Sequence, residues 1–170
     1  MFLAECASSE IAGLAALARR HLATSVEGFS ATDSPRGLLI LDGKDKIEHP
    51  AVATVAQLFG GGSVGAKGGP HLFKVGIWVP GSARTEFLDW YESEHLPILL
   101  ENSAWGGCRF VEQQVSDGHQ FYALHQLDTP AALNSEERRR SRATPWFMRL
   151  KRHSWFDEAF TRQLYTRTEV

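Results

Sequence analysis

The clearest hydrophobic pattern lies in the second half of the chain, where it indicates a strand followed by a helix. Residues 71–79 (HLFKVGIWV) are mostly β-branched or aromatic and are bounded by prolines, as expected for a strand. Beyond a potential capping residue, Ser82, large apolar side chains recur at helical spacing as far as residue 98. Because Pro97 disfavours the α conformation of the residue before it, we expect the regular helix to end, or to kink, near His95.

Residues 106–127 predict a β-hairpin. The Asp117-Gly118 pair between two strand-like runs is typical of a two-residue type I′ turn, which would place Phe110 opposite His125. One face of the hairpin would then carry Cys108, Phe110, Glu112, Phe121, Ala123 and His125. The other face would carry Arg109, Val111, Gln113, Tyr122, Leu124 and Gln126. Both faces mix large apolar and polar residues, so we expect a sheet covered on both sides, with one side facing something polar.

Two helix starts and a final strand complete this half of the chain. Thr129-Pro130 and Thr144-Pro145 each place a capping hydroxyl before a proline at the first helical position. Residues 155–167 form the expected last strand. The element order from residue 71 onward is therefore β-α-β-β-α-β, the ferredoxin-like split βαβ arrangement.

The first 60 residues repeat most of this order. We predict a strand at 1–6, a helix at 8–23, strands at 26–32 and 37–43, and a helix at 49–59. The first helix ends in His21-Leu22, which parallels His95-Leu96. We interpret the repeat as an internal duplication within an α+β protein.

The duplication predicts three segments. A degenerate ferredoxin-like repeat spans 1–60, a glycine-rich linker spans 61–70, and a second repeat spans 71–170. The fourth strand of the first repeat is either lost or compressed into residues 60–69.

Composition and charge exclude several classes of protein. A net charge of −2 gives no reason to expect binding to nucleic acid or to an anionic membrane. No apolar run approaches the ~20 residues that span a bilayer, and the first ten residues lack the basic leader of a signal peptide. Cys6 and Cys108 are too few and too far apart for a disulfide framework or a zinc site, and the histidines show no metal-ligand spacing. We therefore expect a cytoplasmic protein without a metal centre.

Two suggestive motifs fail on inspection. In GGGSVGAK, no glycine directly precedes Lys67, and Gly68 stands where a phosphate loop needs Ser or Thr. The basic run ERRRSR (137–142) lies in a predicted helix beside Glu136, so we expect a solvated helix face rather than a nucleic-acid site.

Three segments together resemble a known family. The stretch FLDWYESEHLPILLENSAWGGCRF (87–110), followed by FYALHQL (121–127) and TPWFMRL (144–150), resembles the EthD-like branch of the dimeric α/β-barrel superfamily. Members of that branch carry an aromatic-rich first helix that ends in a histidine and a proline, then a Trp-Gly or Pro-Gly turn and an arginine-bearing second strand. The resemblance covers about residues 72–168, and reaches residues 1–60 only through the repeated element order.

The resemblance implies an architecture more than a reaction. It implies two ferredoxin-like units that pack sheet against sheet as an α/β barrel around a pocket. Most relatives build the barrel from two chains, whereas this tandem chain would supply both units as an intrachain pseudo-dimer. The family includes cofactor-free isomerases, polyketide cyclases and monooxygenases, and more distant haem-binding branches, so the fold alone does not give the function.

His95 is the principal candidate for chemistry. Imidazole titrates near neutral pH, which suits proton transfer, and His95 shares a helical stripe with Phe87 and Tyr91. The resemblance places such a histidine at the barrel mouth, where related enzymes use it as an acid or base. The alternatives are that His95 binds a freed carbonyl at the kinked helix end, or is a core histidine with satisfied hydrogen bonds. Tyr91, one turn earlier, would line the pocket and donate a hydrogen bond, or only pack.

The hairpin supplies the other candidates. His125 and Glu112 on one predicted face would form an acid/base pair facing the pocket. Arg109, on the opposite face, would bind a carboxylate or phenolate, or would pair with a surface acid. Trp78 and Phe110 would line an aromatic pocket for a flat ligand, or would pack in the core.

These residues favour binding of a small hydrophobic or aromatic, oxygenated molecule. As an enzyme, the protein would transfer protons without a cofactor, as an isomerase, cyclase, lyase or monooxygenase, with His95 as the acid/base and Tyr91 or His125 polarising an oxygen. The alternatives are a non-catalytic binding or stress-related protein, a haem protein with a histidine ligand, and an oligomer scaffold whose barrel is filled by aromatic side chains. Assembly into a homodimer is left open by the sequence.

Overall fold

The computed structural model describes residues 1–20, 23–43, 52–62 and 69–170. His21, the first three residues of the predicted 49–59 helix and most of the predicted linker lie outside the described residues. The strands are β1 (Phe2–Ala7), β2 (Ala23–Ala31), β3 (Arg36–Gly43), β4 (Val52–Thr54), β5 (Ala56–Gly62), β6 (His71–Val79), β7 (Trp105–Gln114), β8 (His119–Leu127) and β9 (Phe160–Thr168). The α-helices are α1 (Ile11–Arg20), α2 (Arg84–Trp90), α3 (Leu96–Leu100), α4 (Glu136–Ser141) and α5 (Pro145–Leu150), with a π-turn at Tyr91–His95 and 3₁₀ turns at Ser8–Glu10, Gly81–Ala83 and Pro130–Asn134.

The chain forms two compact units, and the first comprises residues 1–56 and 163–170. Its strands follow the antiparallel order β4-β1-β3-β2, with Leu3 opposite Ile40 and Phe29 opposite Leu38. This is the 4-1-3-2 order of a ferredoxin-like sheet. The C-terminal part of β9 adds to it beside β2. Helix α1 buries the small and apolar side chains of one face against β1 and β3, as the sequence predicted.

The helix predicted at 49–59 is wrong for every residue of that range that the structure describes. Residues 52–54 form β4, the fourth strand of the first unit, where Ala53 pairs with Leu3. Residues 56–62 form β5. Val and Thr favour extended backbone, and glycines disfavour helix. A short apolar run fits the periodicity of either a helix or a strand, and here the pairing with β1 selects the strand.

The second unit comprises residues 57–162 and contains the β-α-β-β-α-β order that the sequence predicted from residue 71. Its strand order, β9-β6-β8-β7, is again 4-1-3-2, and β5 extends the sheet beyond β7. A Cβ at Gly60 would lie 2.7 Å from the carbonyl oxygen of Cys108, so only glycine allows this close approach. The last strand begins at Phe160, five residues later than predicted.

The hairpin has the predicted faces but a different register. The loop contains four residues, Val115–Gly118, rather than two, so Phe110 lies opposite Ala123 and Cys108 lies opposite His125. A slip of two residues keeps every side chain on its predicted face, because side chains alternate with a period of two. The loop is fixed from outside the hairpin, since the indole N–H of Trp78 donates to the Asp117 carbonyl over 3.0 Å.

The regular α-helix after β6 ends at Trp90, close to the irregularity predicted near His95, but the chain stays helical through Pro97. It widens into the π-turn Tyr91–His95, where the N–H of Leu96 donates to the carbonyl of Tyr91. Proline cannot donate and would clash with the carbonyl four residues earlier in a regular helix. The wider turn accommodates Pro97, and the chain continues as α3.

None of the helices in the described ranges is both long and apolar enough to cross a membrane.

Candidate functional site

A cavity of about 430 Å³ lies within the second unit, between its sheet and the helices that cover one face of it. Its wall is largely aromatic, with Phe73, Trp90, Tyr91, Trp105, Phe147 and Phe156. His95, His125 and the Tyr91 hydroxyl are polar groups of this wall, and four arginines, Lys151 and Asp157 contribute the charge. The resemblance implied a pocket between two sheets; the cavity that holds His95 is instead between a sheet and helices of one unit. Its volume lies within the range of small-ligand pockets.

A chain of hydrogen bonds crosses the floor of the cavity. The indole N–H of Trp105 donates to Nδ1 of His125 over 3.0 Å, and Nε2 of His125 lies 2.8 Å from the hydroxyl oxygen of Tyr91. Indole nitrogen can only donate, so Nδ1 of His125 is unprotonated and the ring carries its hydrogen on Nε2. The Nε2–H therefore donates to the oxygen of Tyr91. Tyr91 must direct its own hydroxyl hydrogen elsewhere, and it is a cavity-lining residue.

Trp105 reaches this chain because of an irregularity in β7. The pairing of β7 with β8 shifts between Trp105 and Gly107, which is a β-bulge. Strict alternation would place Trp105 on the face of Arg109, away from His125. The bulge turns the indole to the cavity side, which is a common use of bulges near functional sites. The alternation of apolar residues alone could not have predicted this.

His95 lies beside Tyr91 in the π-turn, with ring centroids 5.0 Å apart. Its Nδ1 lies 3.4 Å from the carbonyl oxygen of Ser141 in α4, so the long contact is made with another helix and not with a carbonyl freed in its own. A carbonyl oxygen only accepts, so Nδ1 carries the hydrogen and Nε2 keeps a lone pair. Among the described residues Nε2 has no hydrogen-bond partner.

Both histidines are held neutral. Burial lowers the pKa of His95 to about 4, with further lowering by the charges of Arg142 and Arg138. Burial lowers the pKa of His125 to about 3, with a smaller effect from His95. Neutral imidazole at physiological pH is consistent with the tautomer that Trp105 imposes on His125. Burial also raises the pKa of Tyr91, which keeps its hydroxyl protonated.

Two of the predicted ligand-binding residues do not line the cavity. Phe110 is fully buried and packs against Tyr91, with centroids 4.4 Å apart, and against Phe59. It therefore supports a cavity-lining residue from behind. The indole of Trp78 donates to the hairpin loop. Because side chains alternate along β6, Trp78 lies on the sheet face opposite to Phe73 and Val75, which line the cavity.

Glu112 and Arg109 are also placed elsewhere. Glu112 pairs with Arg84 over 2.7 Å and with His119 over 2.6 Å, and the hydrogen bond from Arg84 is the main reason that its pKa is lowered. The expected acid/base pair with His125 is therefore not formed. Arg109 lies opposite Leu124, on the sheet face that points away from His125, where it is buried.

The prediction of a solvated face for residues 137–142 is incomplete, because three of its arginines also border the cavity. Ser141 is buried, and Arg138, Arg139 and Arg142 are among the cavity-lining residues. Arg138 is half-buried, whereas Arg139, Arg140 and Arg142 are exposed. Arg139 and Arg140 pair with Glu136 and Glu101. The available signal for Arg138 and Arg142 was spacing, because residues four apart share a helix face.

In the part of the chain that the structure describes, no three His, Cys, Asp or Glu side chains group closely enough to hold a metal ion.

No family model matches the sequence, and no curated protein matches it as a relative. Several solved structures do match. An uncharacterised ferredoxin-fold protein from Listeria monocytogenes 4b F2365, related to antibiotic biosynthesis monooxygenases, matches with a TM-score of 0.66 at 15% identity, over 99% of this chain and 95% of that one.

Two further structures match over nearly the whole chain. A haem-degrading enzyme from Listeria monocytogenes matches with a TM-score of 0.63 at 13% identity, over 99% of this chain and 100% of that one. An anthrone oxidase-like protein matches with a TM-score of 0.67 at 10% identity, over 99% and 90% of the two chains. At these identities the likeness shows the fold alone, so the chain has an α+β ferredoxin-like fold.

The tautomer of His125 is directly testable. We expect ¹⁵N NMR of the protein to show His125 protonated on Nε2 alone. Trp105→Phe removes the donor and leaves a buried acceptor, so we expect mixed tautomers and a loss of about 1–3 kcal/mol in the free energy of unfolding. Trp146→Phe is the control, because the Nε1 of Trp146 has no partner in the structure. A single Nε2–H tautomer in Trp105→Phe would contradict this assignment.

The buried histidines should make stability depend on pH. Their folded pKa values lie below the ordinary value of about 6.5, so the unfolded chain takes up protons first as the pH falls. The stability they contribute is complete above about pH 6.5 and is lost on acidification, towards pH 4 for His95 and towards pH 3 for His125. Each histidine should cost about 1.4 kcal/mol per pH unit in that window.

Urea unfolding at pH 7.5 and pH 5.0 measures this dependence. We expect His95→Gln to reduce the loss between the two pH values by about 2 kcal/mol relative to the wild type. His153→Gln, which changes an exposed histidine, should leave the loss unchanged. Equal losses in the wild type and His95→Gln would show that His95 titrates normally.

Proposed function

We propose that the cavity binds a small, planar, oxygenated aromatic molecule and catalyses cofactor-independent proton transfer on it. The observation that carries this proposal is the Trp105–His125–Tyr91 chain. It leaves the Tyr91 hydroxyl hydrogen available, one turn from the free Nε2 of His95. A hydrogen-bond donor and a base on the same wall of an aromatic cavity are the two groups that removal of a proton beside a carbonyl requires.

The aromatic wall favours a flat guest. Trp90, His95 and Tyr91 have ring centroids within 6 Å of one another, and Trp105 lies across His125 with an edge-on geometry. A planar aromatic ring would stack against these side chains and displace water from the site. Exclusion of water strengthens the hydrogen bond that Tyr91 would donate.

The proposed chemistry divides the work between the two residues. Tyr91 donates its hydroxyl hydrogen to the ligand carbonyl oxygen, which gains charge as a carbon that is adjacent to the carbonyl, or conjugated with it through the ring, loses a proton. Nε2 of His95 takes that proton, and the imidazolium can return it to another carbon or to a leaving group. Isomerisation, cyclisation and elimination follow from this one step, and the same carbanion is the species that a cofactor-free monooxygenase would expose to oxygen.

We also propose that the chain is a cytosolic tandem pair of ferredoxin-like units from the EthD-like branch. The recurrence of the 4-1-3-2 strand order in both units supports a duplication. The His95-Leu96-Pro97 segment borders the cavity, as the resemblance implies for that branch. The pseudo-dimeric barrel and any further pairing into a homodimer belong to the same proposal.

Deuterium exchange into anthrone tests the proton-transfer step without any redox chemistry. Under anaerobic conditions in D₂O, we expect the protein to accelerate exchange at the methylene carbon opposite the carbonyl, followed by ¹H NMR. His95→Ala should lower the rate by about 10²-fold or more, and Tyr91→Phe by about 10–10²-fold.

His153→Ala, which changes an exposed histidine outside the cavity, should retain the full rate. Exchange that survives in His95→Ala would overturn the role of His95. Binding of anthrone without accelerated exchange would replace catalysis with the non-catalytic binding function.

A second candidate is a haem protein, favoured by the free Nε2 of His95 and by the arginines of the cavity. Both nitrogens of His125 are engaged, so His95 would hold the iron, and Arg138 and Arg142 would bind the propionates. Bound haem would supply redox chemistry that the side chains lack. The structural neighbour described as a haem-degrading enzyme motivates the test.

Titration with haemin decides between the two candidates. Haem binding predicts a Soret band that shifts and sharpens in the wild type and weakens in His95→Ala, with His153→Ala unchanged. An identical spectrum in the wild type and in His95→Ala would exclude His95 as the ligand.

A further inference from the structure

The charged residues of the cavity are almost all of one sign. Four arginines, Arg138, Arg139, Arg142 and Arg162, lie along its wall together with Lys151. The acidic side chain on the same wall is Asp157. Arg139 pairs with Glu136, as the exposed Arg140 and Arg149 pair with Glu101 and Glu86. Within the described ranges no ion pair joins the other three arginines, Arg138, Arg142 and Arg162, to a carboxylate.

Two of these three guanidinium groups lie over aromatic rings rather than beside counter-charges. The guanidinium carbon of Arg138 lies 5.7 Å from the ring centre of Phe73, and that of Arg162 lies 5.1 Å from the ring centre of Phe160. Phe73 and Phe160 also line the cavity. Nη1 of Arg138 donates to the carbonyl of Leu133 as well. Stacking leaves the remaining N–H groups of each guanidinium able to bind a planar anion.

The like charges are close enough to disfavour one another. Burial, and then the neighbouring Arg142 and Arg162, lower the pKa of Arg138. Burial, and then Arg142, lower the pKa of Arg162. Clustered cations that no carboxylate neutralises repel one another, and an anion bound between them would offset that repulsion.

We infer that the ligand of this cavity is an aromatic carboxylate whose carboxylate group is bound by Arg138, Arg142 and Arg162. This inference rests on the proposed function, since it specifies the class of molecule that the aromatic cavity binds. Planar, bidentate hydrogen bonding to carboxylate is the interaction for which arginine is best suited. The ring system of the ligand lies against the aromatic wall, and its oxygen substituent lies near Tyr91.

Two probes with the same ring system isolate the contribution of the carboxylate charge to binding affinity. Anthracene-9-carboxylate and the neutral 9-anthracenemethanol both quench tryptophan fluorescence by energy transfer, and Trp90 and Trp105 line the cavity. We expect the wild type to bind the carboxylate at least tenfold more tightly than the alcohol, with a preference that shrinks as NaCl is raised.

Substitutions identify the residues responsible. Arg142→Gln and Arg162→Gln change exposed side chains, and each should weaken carboxylate binding by about three- to tenfold while leaving alcohol binding unchanged. Arg140→Gln is the matched control on α4, because Arg140 pairs with Glu101 and does not line the cavity. Unchanged midpoints of urea unfolding confirm that each variant folds.

The possible outcomes distinguish failure of the carboxylate assignment from failure of the proposed aromatic-binding function. Equal affinity for the two probes would overturn the carboxylate assignment and leave an aromatic-binding cavity. A carboxylate preference that survives in Arg142→Gln and Arg162→Gln, or is lost in Arg140→Gln, would overturn the role of these arginines. Failure of both probes to bind would overturn the proposed function together with the inference.

Discussion

The hydrogen bond from Trp105 to His125 is the interaction on which the organisation of the site depends. Because indole can only donate, this one contact decides which nitrogen of His125 is protonated and therefore which way the bond to Tyr91 runs. With the opposite tautomer, the tyrosine would give its hydrogen to the histidine and have none for a ligand. The bond forms only because the bulge at Gly106 turns Trp105 to the cavity side. A local defect in strand pairing thus sets the donor and acceptor roles of three side chains.

The cavity places polar groups among apolar side chains, and burial of polar groups in such surroundings is unfavourable. His95 and His125 are held in neutral form inside aromatic walls, and the arginines nearby make protonation of His95 harder still. An imidazole with a pKa far below neutrality is always available as a base but is a weak one. An anion bound at the arginines would offset their charge, so that the basicity of His95 would rise when a ligand is in place. Binding of an anionic ligand would therefore balance the positive charge of the site.

Much of the second unit could be predicted from local patterns, and the first unit less so. Strand β6, the helix after it and the two faces of the hairpin followed from periodicity and turn residues. The register was off by two residues because Trp78, distant in sequence, fixes the loop. Residues 52–59 carry small and β-branched side chains that suit either a helix or a strand, and only pairing with β1 resolves them.

Some residues of the candidate site could likewise be predicted from the sequence, and others could not. His95, Tyr91 and His125 were identified by residue type and spacing, and the structure brings all three to one cavity. Trp105 could not be placed by alternation, because a bulge breaks the alternation. Arg138 and Arg142 were hidden in a basic run whose average character is that of a solvated surface. Glu112 was attractive as a carboxylate near an imidazole, but Arg84 and His119 are its partners.

The π-turn at Tyr91–His95 holds one residue more than a regular helix would need to cover the same rotation. Five residues of a π-turn go about as far around the helix axis as four residues of an α-helix. A deletion of one residue here would therefore restore a regular helix and leave Leu96 and Leu99 on nearly the same buried face. The extra residue instead sets the spacing between Tyr91 and His95, the two side chains of the turn that border the cavity. Related chains could lose it and keep the helix that closes the cavity, but with these two side chains spaced differently.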